Sequence, residues 1–155
     1  MQPSSNFYNL IRLLEGCFLK AYKDSVGIAT IGIGTIRYPN GVAVKMGDVC
    51  TEEQAYEYLK DEVKHKTTTL NGLLLGVELN QHQFDAIVSL VYNIGIGGFA
   101  SSQTLKEIKK NPKDFDAIKK EWMGWNKGTK NGKKVEIKGL TNRRKKECQL
   151  YSTPI

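Results

Sequence analysis

Apolar side chains recur at Phe7, Leu10, Ile11 and Leu14, a spacing that lines one face of a helix. The pattern predicts a helix over residues 4–16, with Ser4 or Ser5 at the N-cap and Gly16 as the stop. From residue 17 to 50 the character changes. Gly27, Gly32, Gly34, Gly41 and Gly47 punctuate short β-prone pieces such as Ile28-Ala29-Thr30-Ile31, and Pro39-Asn40-Gly41 reads as a tight turn. A small antiparallel hairpin or three-stranded sheet fits this stretch.

Helical patterning then resumes. Thr51-x-x-Gln54 forms a capping box that opens a helix over about 52–69. Asn80 caps the next helix, whose Phe84, Ile87, Val88, Val91 and Ile94 make it the most apolar and the expected central one, with Gly95 ending it. Two more helices are expected at about 102–110 and 112–124, the second with Pro112 at its first position. The Lys- and Gly-rich run from Asn126 to Lys138 reads as a mobile loop or ribbon, and Thr141 as the cap of a last helix through Tyr151. Strands and helices do not alternate, so the class is α+β. One domain is expected, with a β-lobe at about 17–50 and a helical lobe at about 51–155 plus the N-terminal helix at 4–16.

Composition narrows the partners. The 155 residues carry 23 Lys and Arg against 16 Asp and Glu, a net charge of +7, which favours anionic partners. Cys17, Cys50 and Cys148 are an odd set without C-x-x-C spacing, which points to a reducing compartment rather than a disulfide framework. His65 and His82 stand at no metal-ligand spacing from each other or from a cysteine, so neither a metal nor another cofactor is expected. No apolar run reaches the ~20 residues that span a bilayer, and Met1-Gln2-Pro3-Ser4-Ser5-Asn6 has no signal-peptide character. Gly32-Ile33-Gly34 and Gly95-Ile96-Gly97-Gly98 lack the strand–turn–helix context of a nucleotide-binding loop.

Hydrolysis by acid–base chemistry needs two carboxyl groups in different environments. Glu15 ends the first helix among apolar neighbours, which are expected to raise its pKa, while Asp24 follows on the hairpin beside Lys23 and turn amides that favour its ionised form. Thr30, on the next strand, is expected to face Asp24 across the turn, and a carboxylate with a hydroxyl can hold a water. Acids near helix ends and turns are common, so this spacing alone says little.

The run from Glu15 to Gly34 adds specificity. Glu15-Gly16 is followed by eight residues between Glu15 and Asp24, five between Asp24 and Thr30, and then Thr30-Ile31-Gly32-Ile33-Gly34. This closely resembles the catalytic segment of the phage-type lysozymes, glycoside hydrolase family 24. The resemblance continues in order through Gln83-x-Asp85-Ala86-Ile87-Val88-Ser89, Tyr92-Asn93-Ile94-Gly95, Phe99, Ser102, Leu105, Trp122, Gly139-Leu140-Thr141-Asn142-Arg143-Arg144 and Glu147. Two positions depart from it: Thr35 stands where the family usually has His, and Ala29 where it often has an aromatic.

The resemblance implies a lysozyme-like fold, with a small antiparallel β-lobe and a larger helical lobe. It implies a muramidase acting on peptidoglycan, with Glu15 as the general acid, Asp24 and Thr30 positioning water, and inversion at the sugar carbon. It further implies an endolysin of a phage, or a bacterial muramidase of the same chemistry, made in the bacterial cytoplasm and, for the endolysin, released through a holin, and a monomer that binds no nucleic acid and does not insert in membranes. Phe99, Arg143 and Arg144 are the candidate substrate contacts. The resemblance pairs one of the two arginines with Glu15, whereas an Arg pair at a helix start otherwise reads as a solvated face. Phe99, Trp122 and Trp125 fit core packing as well as sugar stacking. The alternatives are a non-catalytic wall-binding relative or a basic nucleic-acid-binding module, although no helix-turn-helix, zinc-finger or RNA-recognition signature is present. From Asn126 to Lys146 nine Lys and Arg face one Glu, either a solubilising loop or a surface drawn to an anionic envelope.

Overall fold

The structure is a computed structural model that describes residues 1–155. It divides into two compact units, one formed by Tyr8–His65 and the other by Met1–Phe7 with Lys66–Ile155. The division falls within α1 (Ser5–Glu15) and within α2 (Glu52–Leu73). No helix is long and apolar enough to cross a membrane.

In the unit of residues 8–65, α1 stops where Gly16 returns its N–H to the Arg12 carbonyl at 2.8 Å. β1 (Phe18–Lys23) and β2 (Ala29–Gly32) then pair antiparallel, Tyr22 opposite Thr30 and Lys23 opposite Ala29, with an irregularity between Phe18 and Tyr22. Of the two forms expected, the hairpin is the one found, and beyond it the chain makes only isolated bridges, Lys20 with Val49, Ile31 with Thr35 and Arg37 with Ala43. Frequent glycines and turns leave no run long enough for a full ladder. The turn at Pro39-Asn40-Gly41 closes with the Gly41 N–H on the Tyr38 carbonyl at 2.9 Å. The start of α2 carries the capping box, Gln54 N–H to Thr51 Oγ1 at 3.1 Å and Thr51 N–H to Gln54 Oε1 at 2.9 Å. Ile11, Ile31, Ile33, Val44, Ala55, Leu59 and Val63 are the buried core of this unit.

The second unit is built on α3 (Gln81–Ile94), whose residues 83–91 are all buried. A helix buried on every side is the centre of its unit. α3 packs against α7 (Lys138–Ser152), while α4 (Ile96–Ala100), α5 (Gln103–Lys110) and α6 (Phe115–Met123) continue the bundle. The first residues of the chain are tied to the same unit. The Met1 amino group donates to Asn71 Oδ1 at 3.0 Å, the Gln2 carbonyl accepts from Gln81, and Ser4 gives both its N–H and its hydroxyl to Asp85.

Two sequence expectations are corrected here, and one that left two forms open is narrowed to one. Pro112 is not the first residue of a helix: Asn111 and Pro112 form a turn, and Asp114 caps α6 through the Ala117 N–H at 3.3 Å. Of the two readings of the Lys- and Gly-rich stretch, mobile loop or ribbon, the ribbon holds: it is a regular hairpin, β3 (Lys127–Lys130) with β4 (Lys133–Glu136), turned by Asn131 and Gly132 at φ 52° and 76°. Both residues at positive φ give the turn whose twist suits a two-residue hairpin. Finally, α7 begins at Lys138 without a side-chain cap, and Thr141 lies inside its first turn with its N–H on the Ile137 carbonyl.

Candidate active site

Glu15, Asp24 and Thr30 all lie in the unit of residues 8–65. Glu15 is the last residue of α1 and is half-buried. Its carboxyl group lies against Gly34: a β-carbon added there would sit 3.0 Å from Oε2, 3.2 Å from Cδ and 3.4 Å from Cγ. Gly34 has φ +74°, a conformation side chains disfavour. Its loop is closed on both sides, since Ile31 and Thr35 exchange N–H···O=C bonds of 2.9 Å each. The glycine therefore provides both the chain path and the space in which the carboxylate lies.

Asp24 is set by the β1–β2 turn. Its Oδ1 accepts the Val26 and Ile28 N–H groups, each at 2.9 Å, and its own N–H goes to the Ile28 carbonyl at 2.9 Å. Oδ2 is left without a protein hydrogen bond. Two amide donors on one oxygen fix the rotamer. Thr30, 4% exposed, donates its hydroxyl to the same Ile28 carbonyl at 2.9 Å. Asp24 and Thr30 are thus locked through one peptide group, although Thr30's strand partner is Tyr22 rather than Asp24. With its proton committed, the Thr30 oxygen retains lone pairs, and so it can accept a hydrogen bond from a water.

Tyr22 completes the group. Its phenol is pushed up from the usual value, first by burial and then by the negative charges of Glu15 and Asp24. The ring therefore lies within electrostatic reach of both carboxylates. Sequence reasoning passed over Tyr22 and Gly34. The signal for Tyr22 was its place two residues before Asp24, near the end of the strand that leads into the turn.

The other candidates lie in the second unit. Phe99 is 0% exposed and Trp122 is 0% exposed, so both rings are core and neither presents a face to a sugar. Trp125 is half-buried and its Nε1 donates to Thr104 Oγ1 at 3.2 Å. Arg143 and Arg144 are buried, which corrects the reading of a solvated pair. Both converge on Glu147, itself fully buried: Arg144 Nε lies 2.8 Å from Oε1 and Arg143 Nε 3.4 Å from Oε2. Glu147 also accepts from the Ser89 hydroxyl at 2.6 Å and from Trp122 Nε1 at 3.1 Å, and Arg144 Nη2 donates to Asn93 Oδ1 at 2.7 Å. Residues dispersed from 89 to 147 thereby form one ion cluster that ties α3 and α6 to α7.

The same order of residues is found in known proteins. The model of the Phage lysozyme family matches residues 12–147. The endolysin of Acyrthosiphon pisum secondary endosymbiont phage 1 is 39% identical over 144 residues, covering 93% of this chain and 93% of that protein. The solved structure of an endolysin from Escherichia coli O157:H7 phage FAHEc1 superposes with a TM-score of 0.89 at 42% identity, covering 97% of this chain and 93% of the other. The muramidase domain of SpmX from Asticaccaulis excentricus gives a TM-score of 0.85 at 27% identity over 99% of both chains. A carboxylate held at a helix end, a second fixed by a hairpin turn and a likeness spanning the whole chain lead to one conclusion: this protein belongs to the phage lysozyme family and is a glycoside hydrolase.

Proposed function

We propose that the enzyme is an endolysin that hydrolyses the β-1,4 bond between N-acetylmuramic acid and N-acetylglucosamine in peptidoglycan. The observation that carries the assignment is the Asp24–Ile28–Thr30 arrangement, which leaves one carboxylate oxygen and one hydroxyl oxygen ready to accept a water's protons. Glu15, at the end of α1, is the general acid. It gives its proton to the glycosidic oxygen as the bond to the sugar carbon breaks. Asp24 takes a proton from the water whose oxygen attacks that carbon, and Thr30 orients it. The products are a free hydroxyl on one sugar and a new reducing end on the other, with inversion of configuration, the outcome when water rather than a carboxylate is the nucleophile.

The same reading makes the protein a monomer that is produced in the bacterial cytoplasm and reaches the wall when a holin opens the inner membrane. The test is cleavage of isolated peptidoglycan by wild type, Glu15→Gln and Asp24→Asn, with products identified by mass. New reducing ends at N-acetylmuramic acid, lost in both folded variants, are expected. Retention of activity in Glu15→Gln would overturn the acid, and inactive wild type across pH 4–9 would leave only a wall-binding role.

A further inference from the structure

The hairpin β3–β4 has no part in the chemistry described above, and its composition is unusual. Between Lys127 and Lys138 there are five lysines and a single carboxylate, Glu136. All five lysines are exposed. Glu136 lies at the base of the ribbon, opposite Lys127, where its Oε1 accepts the Thr141 hydroxyl at 2.8 Å. It is remote in register from the turn. There Lys130 stands directly opposite Lys133. Like charges at facing positions destabilise a strand pair, so a fold gains nothing from them. The two arginines nearby do not share this surface, because both are buried with Glu147.

The ribbon is also firmly held. Ile137 returns its N–H to the Asn126 carbonyl at 2.8 Å, Asn126 donates its side-chain amide to Thr141 at 3.0 Å, and Ile137 packs so closely on Gly128 that a β-carbon there would come within 2.9 Å. Strand alternation puts Lys127 and Lys134 on one face and Lys130 and Lys133 on the other. A linear polyanion lying along one face meets only one of these pairs. An anionic plane approached by the turn end can meet both. The ribbon has no aromatic ring to stack on a base and no arginine fork, the usual equipment of a nucleic-acid site. Lysines are compact point charges that suit dispersed phosphate groups.

We infer that the β3–β4 hairpin docks the enzyme on membranes rich in anionic phospholipid. Each lysine near such a surface strengthens binding about fivefold. Replacing Lys130 and Lys133 together by Gln should therefore weaken binding about 25-fold, without touching any group of the candidate active site.

The experiment is sedimentation of the full chain with vesicles of phosphatidylglycerol and, separately, of phosphatidylcholine, for wild type and Lys130→Gln/Lys133→Gln. Thermal unfolding and cleavage of solubilised peptidoglycan are measured in parallel. Binding only to the anionic vesicles, screened by salt and lost in the variant while cleavage and unfolding stay unchanged, is the expected result. Equal sedimentation of the variant, or no binding of wild type to phosphatidylglycerol at low salt, would overturn the inference. So would binding to duplex DNA that exceeds binding to the vesicles, which would make the ribbon a nucleic-acid surface.

Discussion

Replacing Gly34 by alanine tests how tightly the candidate acid is held. The new β-carbon would lie 3.0 Å from Glu15 Oε2 and 3.2 Å from Cδ, against ordinary contacts that begin at 3.4 Å. The backbone has little freedom to retreat, because Ile31 and Thr35 clamp the loop from both sides and Gly32, on the same loop, already abuts Ala55. The end of the Glu15 side chain is the part that yields, by roughly 0.5–1 Å. Misplacement of a catalytic group by about 1 Å costs on the order of 100-fold. We therefore expect kcat/KM to fall about 10- to 100-fold, equivalent to ~1.4–2.7 kcal/mol of barrier. Alanine at positive φ also costs stability, about 1–2 kcal/mol, and a second substitution isolates that part. Gly41 has φ +84° with nothing within 4 Å of a β-carbon, so Gly41→Ala carries the same strain and leaves Glu15 untouched. The assay is steady-state cleavage of solubilised peptidoglycan by both variants, with thermal unfolding alongside. Both should lose similar stability, and only Gly34→Ala should lose rate. If kcat for Gly34→Ala lies within threefold of that for Gly41→Ala, the glycine does not position the acid.

Three further outcomes follow from the same structure. Glu147→Ala leaves two buried guanidinium groups without their shared carboxylate and should cost about 3–5 kcal/mol. That is a fall of roughly 6–20 °C in melting temperature, and a loss below about 1 kcal/mol would contradict the cluster. Thr35→Val should raise stability by about 1 kcal/mol, read from the urea midpoint, because the Thr35 hydroxyl is buried without a hydrogen-bond partner; a lower midpoint would contradict this. The Cys148 thiol is pushed up to about 12, chiefly by burial and then by the Glu147 charge. The folded state then holds this proton more tightly than the unfolded state does, so the contribution is complete below pH 9 and is lost as pH rises from about 9 to 12. Urea unfolding of wild type should fall more steeply over that range than unfolding of Cys148→Ala, and equal slopes would remove Cys148 as the cause.

Local chemistry was the legible part of the chain. Thr51 with Gln54 and Asn80 with Gln83 close reciprocal caps over three residues, and a sequence displays both partners. Asp24, Ile28 and Thr30 span one short turn, so their association was also within reach, although strand register puts Tyr22 rather than Asp24 opposite Thr30. Pro112 misled because proline favours the first turn of a helix, yet the Asn111 side chain takes the Lys113 N–H in a turn and Asp114 takes the Ala117 N–H as the cap, so the helix starts at Phe115. The arginines were misjudged for a different reason. Their partners Ser89 and Asn93 lie 54 and 51 residues away, and only tertiary packing makes two adjacent charges an interior pair. Gly34 belonged to a visible motif, but its relation to Glu15 depends on the conformation of a loop that no pattern of apolar positions encodes.

Ser4 gives its N–H to Asp85, 81 residues downstream, and Met1 and Gln2 are bound by Asn71 and Gln81. The unit of residues 8–65 is consequently an insertion, enclosed at both ends by segments of the other unit. During synthesis Ser4 must wait for a partner that appears only with residue 85, while the inserted unit already has its own core residues in hand. A premature stop between residues 66 and 84 would complete the unit of residues 8–65 and leave Ser4 without Asp85. Conversely, joining the present ends and opening the chain elsewhere would alter the order in which the halves mature while leaving every bond of the Asp24–Thr30 turn in place.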